Sequence, residues 1–121
     1  MRNLLRLPFA VSLLVMAFAP AFAADMEFAP SKREIAALEK AIRLPEGSEP
    51  LDQYRRFYAG NVAERKHIIV AVPELYPSDA AVKIVDLAHL PFVFDGGCSV
   101  VDVQYEVESG SFRSVKCHGV G

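Results

Sequence analysis

The chain has 121 residues and carries 13 Lys and Arg against 15 Asp and Glu. That length suits one small domain with a single core. Its densest basic spots, Arg55-Arg56 and Arg65-Lys66, are only pairs, too sparse to neutralise a run of phosphates, so nucleic-acid binding is set aside.

The N-terminal residues read as an export signal. Arg2 and Arg6 precede an apolar stretch containing Leu13, Leu14, Val15, Met16 and Phe18, and Ala21-Phe22-Ala23 has the form of an A-x-A cleavage site. This predicts a cleaved segment over 1–23 and a mature chain that begins at Ala24. The alternative is an uncleaved anchor, but the apolar core is short for a membrane span. No cysteine follows it to accept a lipid, and no adjacent arginines precede it. The expected product is a soluble periplasmic or secreted protein with no stable membrane anchor after cleavage. Removing 23 residues from 121 leaves 98, a single α+β domain over 24–121. Losing Arg2 and Arg6 leaves 11 basic against 15 acidic residues, a net charge of −4.

Residues 24–30 read as a short lead ending in Pro30. Ser31 followed by Glu34 is a capping box. Ile35, Leu38 and Ile42 then recur at helical spacing, which predicts a helix over 32–44, stopped by Pro45 and Gly47. Pro50 suits a first helical turn, and Leu51, Tyr54, Phe57 and Tyr58 can form one apolar side, so a second, shorter helix is expected up to Gly60-Asn61. The tyrosines of this segment suit either core packing or a ligand pocket, with core packing preferred.

His67 to Val72 is a β-rich run closed by Pro73 and predicts a buried strand. A loop is expected over 74–81. The segment 82–87 is read as a strand from the alternation of Val82 and Ile84, although Ser78 could instead cap a helix through Ala81, Val85 and Ala88. Pro91 interrupts the chain again, and Phe92-Val93-Phe94 leads into the bend Asp95-Gly96-Gly97.

The last two strands form a predicted hairpin. Val101, Val103, Tyr105 and Val107 alternate with Asp102, Gln104 and Glu106, so the odd positions face the core. A two-residue turn at Ser109-Gly110 would place Lys116 opposite Val103. A three-residue loop, Glu108-Ser109-Gly110 with Gly110 left-handed, places Val115 there and sets Asp102 opposite Lys116. The second register is therefore expected.

Cys98 and Cys117 are the only cysteines, and in an exported chain they are expected to form one disulfide. The hairpin register puts Cys117 opposite Val101, three residues from Cys98 and about 10 Å away along a strand. A bridge needs the Cα atoms within roughly 7 Å. The chain must then fold back at Gly96-Gly97-Cys98, which the double glycine permits.

The three histidines, His67, His89 and His118, show no metal-ligand spacing, and no metal or cofactor is expected. A Cys98–His118 nucleophile would need a free thiol, which the disulfide would remove. No nucleophile elbow or phosphate-binding glycine loop occurs, and no catalytic residue is assigned.

The residues from Leu90-Pro91 through Asp95-Gly-Gly-Cys98-Ser-Val-Val101, with Val103, Tyr105, Ser114-Val115, Cys117 and Gly119, resemble the C-terminal signature of a group of small exported bacterial proteins. The resemblance implies kinship over about a quarter of the chain but brings no activity, ligand or catalytic residue with it. At the level of architecture, helices followed by an antiparallel meander are also similar to the cystatin-like arrangement, and fold does not fix function.

These readings converge on an α+β domain: two N-terminal helices on a three- or four-stranded, mainly antiparallel sheet, with one disulfide. The expected role is a non-enzymatic binding or structural module in the cell envelope or outside it. Its partner would be a protein or a small ligand, and Tyr54, Tyr58 and Tyr105 are the candidate ligand-facing aromatics. One alternative is a secreted hydrolase inhibitor presenting a loop at 73–80 or 90–97. Another is a small Cys/His hydrolase or redox enzyme.

Overall fold

The computed structural model describes residues 26–93 and 95–119. The export signal expected over 1–23, and Phe94, lie outside them. Among the described residues the chain forms six strands and a single α-helix, which corrects the expected pair of helices on a three- or four-stranded sheet.

The helix, α1, spans Lys32–Ala41. Its capping box has both arms: Glu34 N donates to Ser31 Oγ at 3.1 Å, and Ser31 N donates to Glu34 Oε1 at 2.8 Å. It stops three residues short of the expected end because Ile42 is already extended, ahead of Pro45. Immediately before α1, Met26–Phe28 forms a short strand, β1, where only a lead was expected.

The second expected helix does not form. Leu51–Gln53 makes one 3-10 turn, closed by Gln53 N donating to Pro50 O at 2.9 Å, and the chain then extends as β2, Tyr54–Ala63. The misleading feature is Arg56. It lies between Tyr54 and Tyr58 on the helix-facing side of β2, where a charge breaks the polar–apolar alternation of a strand. That charge is matched from above, since Arg56 Nη1 sits 3.3 Å from Glu39 Oε2 on α1.

Strand β3, Lys66–Leu75, pairs with β2 along all ten residues, from Tyr54 opposite Leu75 to Ala63 opposite Lys66. Glu64 and Arg65 form the two-residue turn between them, both at positive φ (53° and 66°). Gly60 lies in mid-strand rather than at an element's end. A Cβ there would meet the Phe28 carbonyl oxygen at 2.0 Å, so only glycine lets β1 pair so closely. Pro73 does not close β3. It stays in register with Arg56 on the β2 side, while β3 skips its pairing to the next strand between Ala71 and Glu74.

After a 3-10 turn at Pro77–Asp79, β4 covers Val82–Ile84, half the expected length, and runs parallel to β2. A further 3-10 turn, Leu87–His89, leads towards the final hairpin, β5 (Gly97–Glu106) and β6 (Ser111–His118). The sheet order is β1-β2-β3-β5-β6. Strand β4 lies on the same edge of β2 as β1, opposite Arg56–Tyr58, and β1 lies opposite Gly60–Val62.

The hairpin keeps the expected register through its middle, with Val103 opposite Val115 and Asp102 opposite Lys116. Near the turn it shifts by one residue. Tyr105 faces Phe112, Glu106 faces Ser111, and Arg113 is bulged out. The loop is therefore four residues, 107–110, and not three. The cause is chemical: unbroken pairing would have set Arg113 beside Tyr105 on the core face. The bulge instead puts the Tyr105 and Phe112 rings 4.9 Å apart and lets Arg113 Nε reach Glu106 Oε2 at 3.3 Å. Gly110 is left-handed as expected (φ 65°), and its N–H donates to Glu106 O at 2.9 Å.

The core lies between α1 and one sheet face. Ile35, Leu38 and Ile42 pack on Tyr54, Tyr58, Ile69, Ala71, Val101, Val103 and Tyr105. One row of cross-strand neighbours, Tyr58, Ala71, Val103 and Val115, runs across four strands beneath the helix. Burying side chains of this size contributes about 1.5–3 kcal/mol each.

Candidate functional site

The two ends of the sheet differ in how they are finished. At the β5–β6 end, Cys98 and Cys117 form the expected disulfide, with Cα atoms 4.5 Å apart. The fold-back that permits it is a wide irregularity. Gly97 pairs with His118 and Val101 with Cys117, so three residues of β5 bow out against none of β6. Gly97 is left-handed (φ 51°), and Ser99 N donates back to Gly96 O at 2.9 Å. The loop after α1 packs over the bridge, with Cys98 Sγ 3.6 Å from Glu46 O.

The three tyrosines considered as ligand-facing lie in the core, 0%, 0% and 5% exposed for Tyr54, Tyr58 and Tyr105. Tyr54 is anchored at the disulfide, donating its hydroxyl proton to Cys98 O at 2.7 Å and accepting from Glu49 N at 3.1 Å. Tyr58 donates to Glu39 Oε2 at 2.5 Å. Burial, reinforced by that carboxylate, pushes the Tyr58 hydroxyl far above its ordinary value of 10.0, so it acts as a fixed donor.

His118, weighed in the sequence as the partner of a Cys98 nucleophile, is held by two other groups. Its Nδ1 lies 2.7 Å from Asp102 Oδ2, and its Nε2 contacts the carbonyl oxygen of Val93. Asp102 therefore sits opposite Lys116 as expected but places its carboxylate on His118. The Asp102–His118 pair has the geometry of an orienting carboxylate and a base, yet the nitrogen a base would use is capped by a main-chain acceptor. With Cys98 in the disulfide, no thiol stands ready for a Cys98–His118 nucleophile.

The β4 edge is open. Val82 and Ile84 pair with Arg56 and Tyr58, and so share the helix side of the sheet. Helix α1 is centred over β2, β3 and β5, and its flank covers β4 only in part. Val82 is 42% exposed and Ile84 44%. A groove of about 400 Å³ results, lined by Lys32, Ile35, Ala36, Glu39, Val82 and Ile84. Ile84 is also a wall of a second cleft of about 370 Å³, where β1 and β4 meet end to end. That cleft is edged by Glu27, Gly60, Asp86 and His89.

The main chain of β4 is half used. Arg56 N donates to Ala81 O, and Val85 N donates to Tyr58 O, both at 2.9 Å. Alternate residues therefore face β2, which leaves the N–H and C=O groups of Val82 and Ile84 directed outward. An apolar groove beside unpaired strand groups is chemistry suited to an extended polypeptide. The alternation of Val82 and Ile84 marked the strand in the sequence. No local signal shows that α1 leaves its flank uncovered. Among the described residues no cluster of three or more His, Cys, Asp and Glu side chains could hold a metal ion.

Comparison of the chain with protein-family models, with curated proteins and with solved structures gave no match.

Proposed function

We propose that this is an exported, non-enzymatic binding domain that takes up an extended apolar segment of a partner protein along β4. The observation that carries the reading is the coincidence of outward-directed main-chain groups at Val82 and Ile84 with the groove that these side chains share with α1. Strand addition supplies affinity through main-chain hydrogen bonds. The groove supplies selectivity for apolar side chains at alternate positions. A small disulfide-bonded domain is consistent with life in an oxidising compartment, and processing after Ala23 would deliver the domain there.

The test is selection of peptides from a random displayed library on the mature, oxidised domain, followed by mapping of the bound peptide through amide chemical shifts. The reading expects peptides with alternating apolar residues, shifts concentrated at residues 82–85, and loss of binding in Ile84→Lys with the fold intact. Selected peptides whose shifts map elsewhere, or that bind Ile84→Lys unchanged, contradict it. N-terminal sequencing of the exported product tests the localisation, with Ala24 expected first.

A second reading, the hydrolase inhibitor, is favoured by one observation. Phe92 on the loop at 90–93 is 82% exposed, as a side chain offered to a partner's pocket would be. Loss of inhibition in Phe92→Ala but not in Ile84→Lys would distinguish it.

A further inference from the structure

We infer that His118 is a pH-sensitive clasp that holds the loop at 90–93, with its exposed Phe92, against the end of the β5–β6 hairpin. The reason is valence. A neutral imidazole has one N–H and one lone pair, so it can donate to only one partner. Both ring nitrogens of His118 face acceptors, the Asp102 carboxylate at Nδ1 and the Val93 carbonyl at Nε2. Only the imidazolium satisfies both. Deprotonation turns one nitrogen's lone pair towards an oxygen and replaces an attraction with a repulsion. Because the carboxylate retains its hold on the remaining proton, the contact to Val93 is the one given up.

The charges around the ring support the protonated state. Asp102 faces it from β5 and Asp95 from the incoming loop, and the cation on the same strand is Lys116, the cross-strand partner of Asp102. The hydrogen bond to Asp102, then the one to Val93 O, hold the imidazole above its ordinary 6.5, against a smaller opposing effect of burial. The sign follows. A group whose folded value is raised contributes its stabilisation in full below the unfolded value and loses it as pH rises through the folded one. The clasp is thus closed in mildly acidic medium and opens as the pH climbs past the ordinary imidazole range. The disulfide one residue away keeps the hairpin itself in place, so opening is confined to the loop.

The test follows the histidine ring nitrogens and the Phe92 and Val93 amides of the oxidised domain by NMR from about pH 5 to about pH 9. His118 is expected to titrate above 6.5, carrying protons on both nitrogens below its midpoint, with the two amides moving at the same midpoint. Chymotryptic cleavage after Phe92, normalised to an unstructured peptide with the same bond, should rise about tenfold across that midpoint. Asp102→Asn should lower both midpoints together, and His118→Gln should leave cleavage flat with pH. If His118→Gln fails to fold, Asp102→Asn alone carries the comparison. Titration of His118 at the ordinary value, or amides and cleavage indifferent to its titration, overturns the clasp.

Discussion

The β5–β6 end and the β4 edge belong to one sheet and are held very differently. At the first, a disulfide, the buried Tyr54 hydroxyl and the His118 contacts all act within a few residues of Cys98 and Cys117. At the second, a three-residue strand is held by parallel pairing to β2, and its two apolar side chains stay half in water. The contrast shows how a domain this small divides its labour. Covalent and core constraints at one end support the sheet, so that the other end can leave main-chain and apolar groups uncovered.

The largest expected effect removes the constraint at the closed end. Replacing both cysteines, Cys98→Ser with Cys117→Ser, should lower stability by about 3 kcal/mol, the loop-closure value for a separation of 19 residues. Denaturant unfolding measures it, and groove binding by the surviving folded fraction should persist. Next comes Gly60→Ala at the open edge. The added methyl meets the Phe28 carbonyl and ring at 2.0 and 2.7 Å, so β1 must leave β2, at a cost of about 1–3 kcal/mol. Loss of protection at residues 60–62 would report it.

A gain is expected at the β2–β3 turn. Glu64 and Arg65 both hold positive φ, and replacing them with Asn and Gly should stabilise by about 1 kcal/mol, read as a higher unfolding midpoint. The smallest effect is with pH. Hydrogen bonds from the His67 side chain and amide hold the Glu108 carboxyl below its ordinary 4.5. At Glu106, Lys66, Ser109 and Arg113 together outweigh the raising effect of burial and also leave its carboxyl low. Depressed carboxyls give stability that is lost as pH falls below 4.5 through their folded values, and the raised His118 gives stability lost as pH rises past 6.5. Stability of the hairpin should therefore be flat between those limits and decline outside them.

Much of the closed end was legible in the sequence. The capping box placed the start of α1, and the odd-position alternation of β5 placed the hairpin's register. That register, combined with disulfide reach, required the bend at Gly96-Gly97. Arg113 falls at an odd, core-facing position in the unbroken register. The bulge that relieves this is decided by the packing of the Tyr105 and Phe112 rings, which the alternation alone does not encode. The open end was less readable for physical reasons. Arg56 on a buried face makes β2 look helical unless Glu39, from a different element, is known to meet it. Glu64-Arg65 carries no turn signature, because its strain is offset by ten residues of pairing rather than by local preference. The Tyr54 and Tyr58 spacing fits either period, and Phe57 fits the helical one. The groove and the His118 contacts are products of tertiary packing, and no single stretch encodes them.

The contrast between a closed and an open end is tested most directly by native-state hydrogen exchange on the oxidised domain. The amides of residues 101–105 in β5 should exchange only through global unfolding. The Val85 amide, which ties the end of β4 to Tyr58 O, should exchange through local opening at a markedly lower free energy. Equal protection at Val85 and in β5 would contradict the account, because β4 would then be as firmly fixed as the core.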